Sequence, residues 1–513
     1  MKKYLVFAAA ASLFAACSND DGAVAGPQQE AQQTAGEVAV AFDSYVNRAT
    51  TRAGLTGDME NTATSLQKSG FGVFAYHTNA DLYDQTFVPN FMYNQRVTHS
   101  GTGEGAKWSY TPIKYWPNEF GQDALSEDVD KVSFFAYAPY VSVNPASGKV
   151  IDKSTGEGST YDEDNGDKTY GIVGMKSNSA TGDPMVKYMA SFYTNKQVDL
   201  TWGTVFKGTS SDAKFTWSKK NGTSATQELE FGKPWLDVEH PNATSTTWTD
   251  AQKVKFDFKH ALARLNVTVD TKTNKTTTAN PDANTKVYIR SVTFEGFDIK
   301  GALNLNNAEA SKALWFNFDC LSELNNGSEV TIKDGRTDGK EGVTAATKEN
   351  AFINPTFVQS TVWGASEATA GVTGTPANLF GKWDATNNKI AVIDGTDPEK
   401  QPIYVIPNGD PLKVTIEYDV LTKDDNLVGK LNDGQTKGSV VKNVITRYIT
   451  MGSSASGSAA APTDYNADGK GIKLENGKKY TISLHIGLNS VEFDAAVTDW
   501  VEATGGADLP HNN

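Results

Sequence analysis

Apolar side chains in this chain recur at every second residue, and that period restricts what the chain can fold into. The runs Val38-Val40-Phe42, Val132-Phe134-Ala136, Val254-Phe256-Phe258, Leu265-Val267-Val269 and Leu412-Val414-Ile416-Tyr418-Val420 all alternate. Each predicts a strand with one face turned inward. Helical spacing is scarce. Between the runs lie clusters of Gly, Asn, Asp, Ser and Thr, as in residues 274–284 and 452–463, which supply turns and long loops rather than crossover helices. The expectation is an all-β chain of antiparallel β-sandwiches. With 513 residues, of which 45 are Gly and 19 Tyr, there is material for two or three turn-rich β domains, each burying its own core.

The pattern also suggests where domains begin and end. Phe256 and Phe258 are even-numbered, whereas Leu265, Val267 and Val269 are odd, so a bulge near 260–262 would restore the inward face. A lone His260 at such a place reads as a satisfied core residue rather than a ligand. Residues 141–250 are polar and glycine-rich and read as long loops inserted into a first sandwich, residues 53–305. A second sandwich then takes residues 306–513, with the break near 305–310. At its end, Tyr480, Ile482, Leu484 and Ile486 form one alternating strand, and Val491, Phe493, Ala495, Val497 and Val501 another. Residues 487–490 turn between them. A terminal strand that keeps its alternation suits a partner, although it can equally close its own domain.

Residues 1–17 read as a secretory signal: Lys2 and Lys3, an apolar run, then small residues before Cys17. Leu13-Phe14-Ala15-Ala16-Cys17 resembles a lipobox, which makes Cys17 the expected lipidation site and the bacterial outer membrane the expected anchor. An ordinary secreted protein with a stray cysteine is the plainer alternative. Ser18-Asn19-Asp20-Asp21 looks like a short surface-export tag, and residues 18–52 join a polar tether to a first strand. Apart from Cys17 the chain holds only Cys320, so its stability must come from burial rather than an internal disulfide; residues 314–320 read as an apolar strand hiding that thiol. A formal charge of -14 disfavours nucleic acid as a partner.

Four features together resemble the fimbrillins that build type V pili, and their fimbrillin-like relatives. A lipobox is followed by the strand at 38–42 and then Thr51-Arg52-Ala53. Trp108-Ser109-Tyr110 and Tyr115-Trp116-Pro117 precede Val132-Ser133-Phe134-Phe135-Ala136-Tyr137-Ala138-Pro139. Phe258-Lys259-His260-Ala261-Leu262-Ala263 opens a strand, and the chain closes on Tyr480 to Ile486 and Val497 to Trp500. The resemblance implies two tandem transthyretin-like sandwiches and assembly with other fimbrial subunits by strand exchange. Val38, Val40 and Phe42 would belong to a removable strand, Arg52 or Arg48 would be the protease cleavage site, and Val491, Phe493, Ala495, Val497 and Val501 would form the donor strand. The two arginines read equally well as solvated linker charges.

One motif stands outside that resemblance. Asp464, Asn466, Asp468 and, after Gly469 and five further residues, Glu475 follow the spacing of a calcium loop. The flanks are not helical, so this would be a calcium-stabilised surface loop, and no cofactor is required. Trp108, Tyr110, Tyr115 and Trp116 could stack sugars, although core packing is the simpler reading. No H-E-x-x-H or G-x-S-x-G motif occurs, and the six histidines are isolated, so catalysis is not expected; the activity that the resemblance implies is polymerisation, with adhesion as its outcome. The rival is a non-polymerising surface lipoprotein that binds a glycan or host ligand.

Overall fold

A computed structural model describes residues 39–46, 66–79, 81–100, 107–117, 130–151, 171–190, 198–206, 214–218, 224–239, 253–270, 285–298, 300–307, 312–316, 377–378, 382–384, 389–391, 403–424, 426–427, 438–449, 471–486 and 491–499. Twelve strands come first: β1 (Phe42–Val46), β2 (Phe71–His77), β3 (Met92–Ser100), β4 (Lys107–Ser109), β5 (Lys131–Ala138), β6 (Gly171–Met175), β7 (Met185–Met189), β8 (Thr201–Val205), β9 (Lys214–Ser218), β10 (Ser224–Glu228), β11 (Trp235–Glu239) and β12 (Val254–His260). They are followed by β13 (Ala263–Asp270), β14 (Thr285–Glu295), β15 (Phe297–Asp298), β16 (Lys300–Asn304), β17 (Trp315–Phe316), β18 (Ala377–Asn378), β19 (Lys382–Asp384), β20 (Lys389–Ala391), β21 (Ile403–Pro407), β22 (Lys413–Lys423), β23 (Gly438–Tyr448), β24 (Lys478–Ile486) and β25 (Val491–Asp499). One short helix, α1 (Leu66–Ser69), leads into β2. The chain is an all-β sandwich protein.

The first sandwich is organised by an eight-stranded sheet in the order β1-β12-β8-β5-β2-β3-β4, with β11 also paired to β5. Its middle strands are covered on both faces, so every residue of β8 and nearly all of β2 and β5 are buried. Phe71, Val73, Phe134, Trp235, Phe256 and Phe258 fill one face. Phe74, Tyr76, Phe135, Tyr137 and Trp202 fill the other, against Ile172, Val186, Tyr188, Leu303 and Trp315 of a four-stranded sheet, β17-β16-β7-β6. Alternation fades where both faces are covered, because each face then demands apolar side chains.

The second sandwich packs the sheet β15-β21-β13-β24-β25, with β18 beside β13, against β14-β22-β23. Its core is largely aliphatic, with Leu265, Val267, Ile403, Val405, Ile416, Ile482 and Leu484 at its centre. Eleven matched residues of β22 and β23 extend this sandwich as one long hairpin-like pair.

Several expectations are corrected. Residues 141–250 are not simply inserted loops: β6, β7, β8 and β11 lie within them, and β8 sits between β12 and β5 in the middle of the main sheet. These strands are five residues each, and β6 and β8 are buried throughout with Gly or Thr among their apolar residues, which hid their period. No bulge mends the phase near His260. β12 ends there, Ala261 and Leu262 cross over buried, and β13 begins in the other sandwich, so the two phases serve two different cores. A single break near 305–310 is not found either. β13, β14 and β15 already belong to the second sandwich, and β16 then returns to pair with β7 in the first, with β17 alongside β16. Two pairs, β1 with β12 and β13 with β24, are parallel within otherwise antiparallel sheets. The strand expected at 314–320 is seen as Trp315–Phe316; Cys320 lies outside the described residues.

Candidate functional site

The first strand sits in a slot at the margin of the main sheet. Its inward positions, Val40, Phe42 and Ser44, are all buried. On one side β1 runs parallel to β12, with Phe42 opposite Val254, Asp43 opposite Lys255, Ser44 opposite Phe256 and Val46 opposite Phe258. The Val254 amide donates to the Ala41 carbonyl at 2.8 Å. On the other side the Val40 amide donates to the Lys114 carbonyl at 2.8 Å, and Ala39 makes an isolated antiparallel bridge to Tyr115. The sheet thus curls until the segment after β4 reaches the first strand, and β1 fills the gap between its two margins.

Tyr110 locks that closure. Its hydroxyl donates to the Val40 carbonyl at 2.8 Å and lies 3.2 Å from the Lys114 carbonyl. Burial pushes its ionisation well above the ordinary tyrosine range, which keeps the hydroxyl a donor at any physiological pH. Phe42 is the plug of the slot. Its ring centroid lies 5.3 Å from that of Tyr110, 6.0 Å from Phe134, 6.1 Å from Phe256 and 6.3 Å from Phe71. Three of these contacts are edge-to-face and the one with Phe256 is stacked, and both geometries add to the burial of the ring itself. Ser44 fits less well: its buried Oγ has no hydrogen-bond partner among the described residues. On the neighbouring strand, Asp257 forms a 2.6 Å ion pair with Lys259, while burial raises the Asp257 carboxyl above the usual range.

The strand expected as donor is β25. It lies antiparallel to β24 along its whole length, with Val497 opposite Tyr480, Ala495 opposite Ile482, Phe493 opposite Leu484 and Val491 opposite Ile486. Phe493 and Ala495 are buried and Val497 is partly buried against the second core. β25 therefore fills the edge of its own sandwich, held by a single neighbouring strand among the described residues.

The remaining sequence candidates divide clearly. Val40 and Phe42 are in the slot, with the strand running from residue 42 to 46 rather than from 38 to 42. Val38, Arg48, Arg52, Cys17 and Val501 lie outside the described residues, as do Asp464, Asn466 and Asp468 of the calcium pattern. Glu475, the last position of that pattern, is exposed; its amide donates to the Tyr480 hydroxyl at 2.8 Å, and burial pushes that tyrosine up to about 12. The four aromatics weighed as a sugar platform do not share one open face. Tyr110 and Trp116 are buried, Trp108 packs on Phe71 at 4.9 Å, and Tyr115 is exposed. His260 is fully buried, with Nδ1 2.5 Å from Asp199 Oδ2, as a core histidine should be. Sequence reasoning missed the clamp by Tyr110 and the facing Lys255, since nothing local marks a residue as the far wall of a slot.

No family model matches the chain. Among curated proteins, fimbrium subunit Fim1C of Phocaeicola vulgatus is 36% identical over 89 residues, which is 17% of this chain and only 20% of that relative. Among solved structures, a fimbrial protein from Bacteroides vulgatus aligns over 90% of this chain and 99% of its own, at 17% identity and a TM-score of 0.42. The tip fimbrial protein Mfa3 from Porphyromonas gingivalis, with a C-terminal truncation, aligns over 85% and 96%, at 8% identity and a TM-score of 0.24. The order of motifs along the chain and the stretch shared with the fimbrium-subunit relative agree, and over that stretch, about a fifth of the relative's length, the chain is similar to a fimbrium subunit.

Proposed function

We propose that this chain is a structural or accessory subunit of a fimbria, exported as a lipoprotein on Cys17 and polymerised at the cell surface by protease-assisted strand exchange, with adhesion as the outcome. Cleavage after Arg52 or Arg48 frees the first strand, and the Val491 to Val501 strand of a neighbouring subunit takes its place. The observation that carries this reading is the slot. β1 is a short parallel strand between β12 and the 110–115 segment, with Phe42 as its plug. Losing such a strand leaves unpaired amides along β12 and a cavity lined by rings, both of which an incoming alternating strand repairs. Emptying the Phe42 site alone costs about 3–5 kcal/mol. A filled slot is correspondingly slow to empty. The fimbrium-subunit relative supports the same reading.

The test is the mature N-terminus of surface-assembled protein, read by mass spectrometry beside a gel of unheated samples. A start at Ala49 or Ala53 with a ladder of detergent-resistant oligomers, abolished by deleting residues 491–501, is the expected result. A lipidated Cys17 start with no ladder would instead give a non-polymerising outer-membrane lipoprotein that binds a glycan or host ligand. That second reading has one observation in its favour: β25 already completes its own sandwich.

A further inference from the structure

Five Asn-Gly pairs occur in the chain, at residues 165–166, 221–222, 326–327, 408–409 and 476–477. An asparagine before glycine is open to attack on its own side chain, because no Cβ shields the amide nitrogen that follows. Two of the pairs lie among the described residues, each with its glycine at positive φ, 82° at Gly409 and 69° at Gly477. They are held in opposite ways. The Asn476 side chain donates to the His260 carbonyl at 3.1 Å and accepts the Ala313 amide at 3.1 Å, while the Gly477 amide donates to the Leu262 carbonyl at 2.8 Å. Electrophile and nucleophile are both tied to distant partners there. The Asn408 side chain instead folds back over its own turn. Its Oδ1 accepts the Asp410 amide at 2.9 Å, closing a ring that carries the Asn408 Cγ and the Gly409 nitrogen. Gly409 is exposed with open space around it, and its amide makes no hydrogen bond among the described residues.

The groups around Asn408 match what such an attack needs. The Asp410 amide polarises the side-chain oxygen that must take up negative charge, and the nitrogen that must leave donates to Asp298 Oδ1 at 3.1 Å. We infer that Asn408 is a self-modification site, where the Gly409 nitrogen attacks the Asn408 Cγ with Asp298 as general acid and the turn converts to aspartate and isoaspartate. A bond forms between the Gly409 nitrogen and Cγ, and the Cγ–Nδ2 bond breaks. The Gly409 proton passes to solvent, and the Asp298 carboxyl supplies the proton that lets Nδ2 leave as ammonia. Water then opens the cyclic imide at either carbonyl and leaves a carboxylate, so no other co-reactant is required.

Asp298 is suited to that task. Burial pushes its carboxyl up to about 7, so a proton is on hand at neutral pH. The charged group acting on it among the described residues is Asp410, which adds to the rise, while β21 sets the uncharged Ile406 opposite it. The product alters a joint of the second sandwich, since residues 408–412 carry the chain from β21 in one sheet to β22 in the other. A carboxylate at 408 no longer donates to Asp298 and stands beside two acids. The isoaspartate form also lengthens the backbone by a methylene. Because the conversion runs one way, the turn records the age of the molecule.

The test incubates the purified, folded chain at neutral pH in water enriched in heavy oxygen and reads each site by peptide mapping with mass spectrometry. Synthetic peptides of residues 403–413 and 471–481 give the unfolded rates. Asn408 should convert roughly 10-fold faster in the folded chain than in its peptide, with heavy oxygen and isoaspartate appearing at 408, while Asn476 converts roughly 10-fold more slowly than in its own. The native rate at 408 should level off above about pH 7 as the acid is lost. Asp298→Asn, which keeps the shape of the side chain, should lower the rate to that of the peptide and let it climb with pH throughout. If that variant does not fold, the native pH profile decides. Folded Asn408 converting no faster than its peptide, or a native rate that climbs without levelling, would overturn the inference. So would a folded Asp298→Asn chain that converts at the native rate.

Discussion

The core around the first strand is richer in rings than the core of the second sandwich, which leans on branched aliphatics. Around β1 the core sets the rings of Phe42, Phe71, Tyr110, Trp116, Phe134, Trp235, Phe256 and Phe258 among Val, Ala and Leu side chains. Around β25 it is dominated by Leu265, Val267, Ile403, Val405, Ile416, Ile482 and Leu484. Rings are rigid plates with few rotamers, so a hole among them keeps its shape; aliphatic chains can creep into a gap and partly close it. An aromatic core is therefore suited to hold open the site of a missing strand. An aliphatic one is suited to spare its edge strand. The two cores thus differ in what removal of an edge strand would leave behind.

The contrast can be broken most directly at the plug. Phe42→Ala should destabilise the first sandwich by about 4 kcal/mol while leaving the second unchanged. Denaturant unfolding followed by tryptophan fluorescence, which reports the buried Trp202 and Trp235 of the first sandwich, would then show an early transition ahead of an unmoved one. A single transition at the wild-type midpoint would remove the special status of the ring.

Acidity should separate the two sandwiches next. Asp298 in β15 is largely buried, and desolvation pushes its carboxyl up to about 7 despite a 3.1 Å hydrogen bond from Asn408; nearby Asp410 adds to the rise. A carboxyl whose folded value exceeds its unfolded one contributes stability that is fully present below about pH 4, the unfolded value, and is lost as pH rises through the folded value near 7. The second sandwich should thus lose on the order of 3 kcal/mol of this contribution between those limits. Asp298→Asn should flatten that slope, measured as the pH dependence of the second transition; a slope unchanged in the variant would assign it to other groups.

The smallest effect is also the most specific. Ser44→Ala should stabilise the intact first sandwich by about 1 kcal/mol, because it removes a buried hydroxyl that lacks a partner among the described residues. On the strand-exchange proposal it should also slow displacement of β1 by a synthetic peptide of residues 489–499 once the chain is cut after Arg52. Faster displacement would mean that the hydroxyl is satisfied by water in the slot.

Much of this architecture could be read from the residues, but unevenly. β24 and β25 were legible almost to the residue, since each has one face on a core and one turned away, and their alternation is strict. β6 and β8 were not: Gly171 to Met175 and Thr201 to Val205 are buried throughout, and a strand covered on both faces loses the period that announces it. Phe42 was identified as part of the site, yet its parallel partner β12 was not, because alternation reveals which face is inward and says nothing of which distant strand lies alongside. Tyr110 appeared only as one aromatic among several; its part as the latch on the Val40 carbonyl depends on a curl of the sheet that brings residues 70 positions apart together.

The return of β16 and β17 to the first sandwich has a mechanical consequence. The chain leaves the first sandwich after β12, comes back between β15 and β16, and leaves again after β17 to supply β21 to β25. Among the described strands three covalent passages therefore join the halves, where beads on a string would have one. Tension applied along a row of such molecules would be divided among several load paths, and a break in any one loop between the halves would leave the others to bear it.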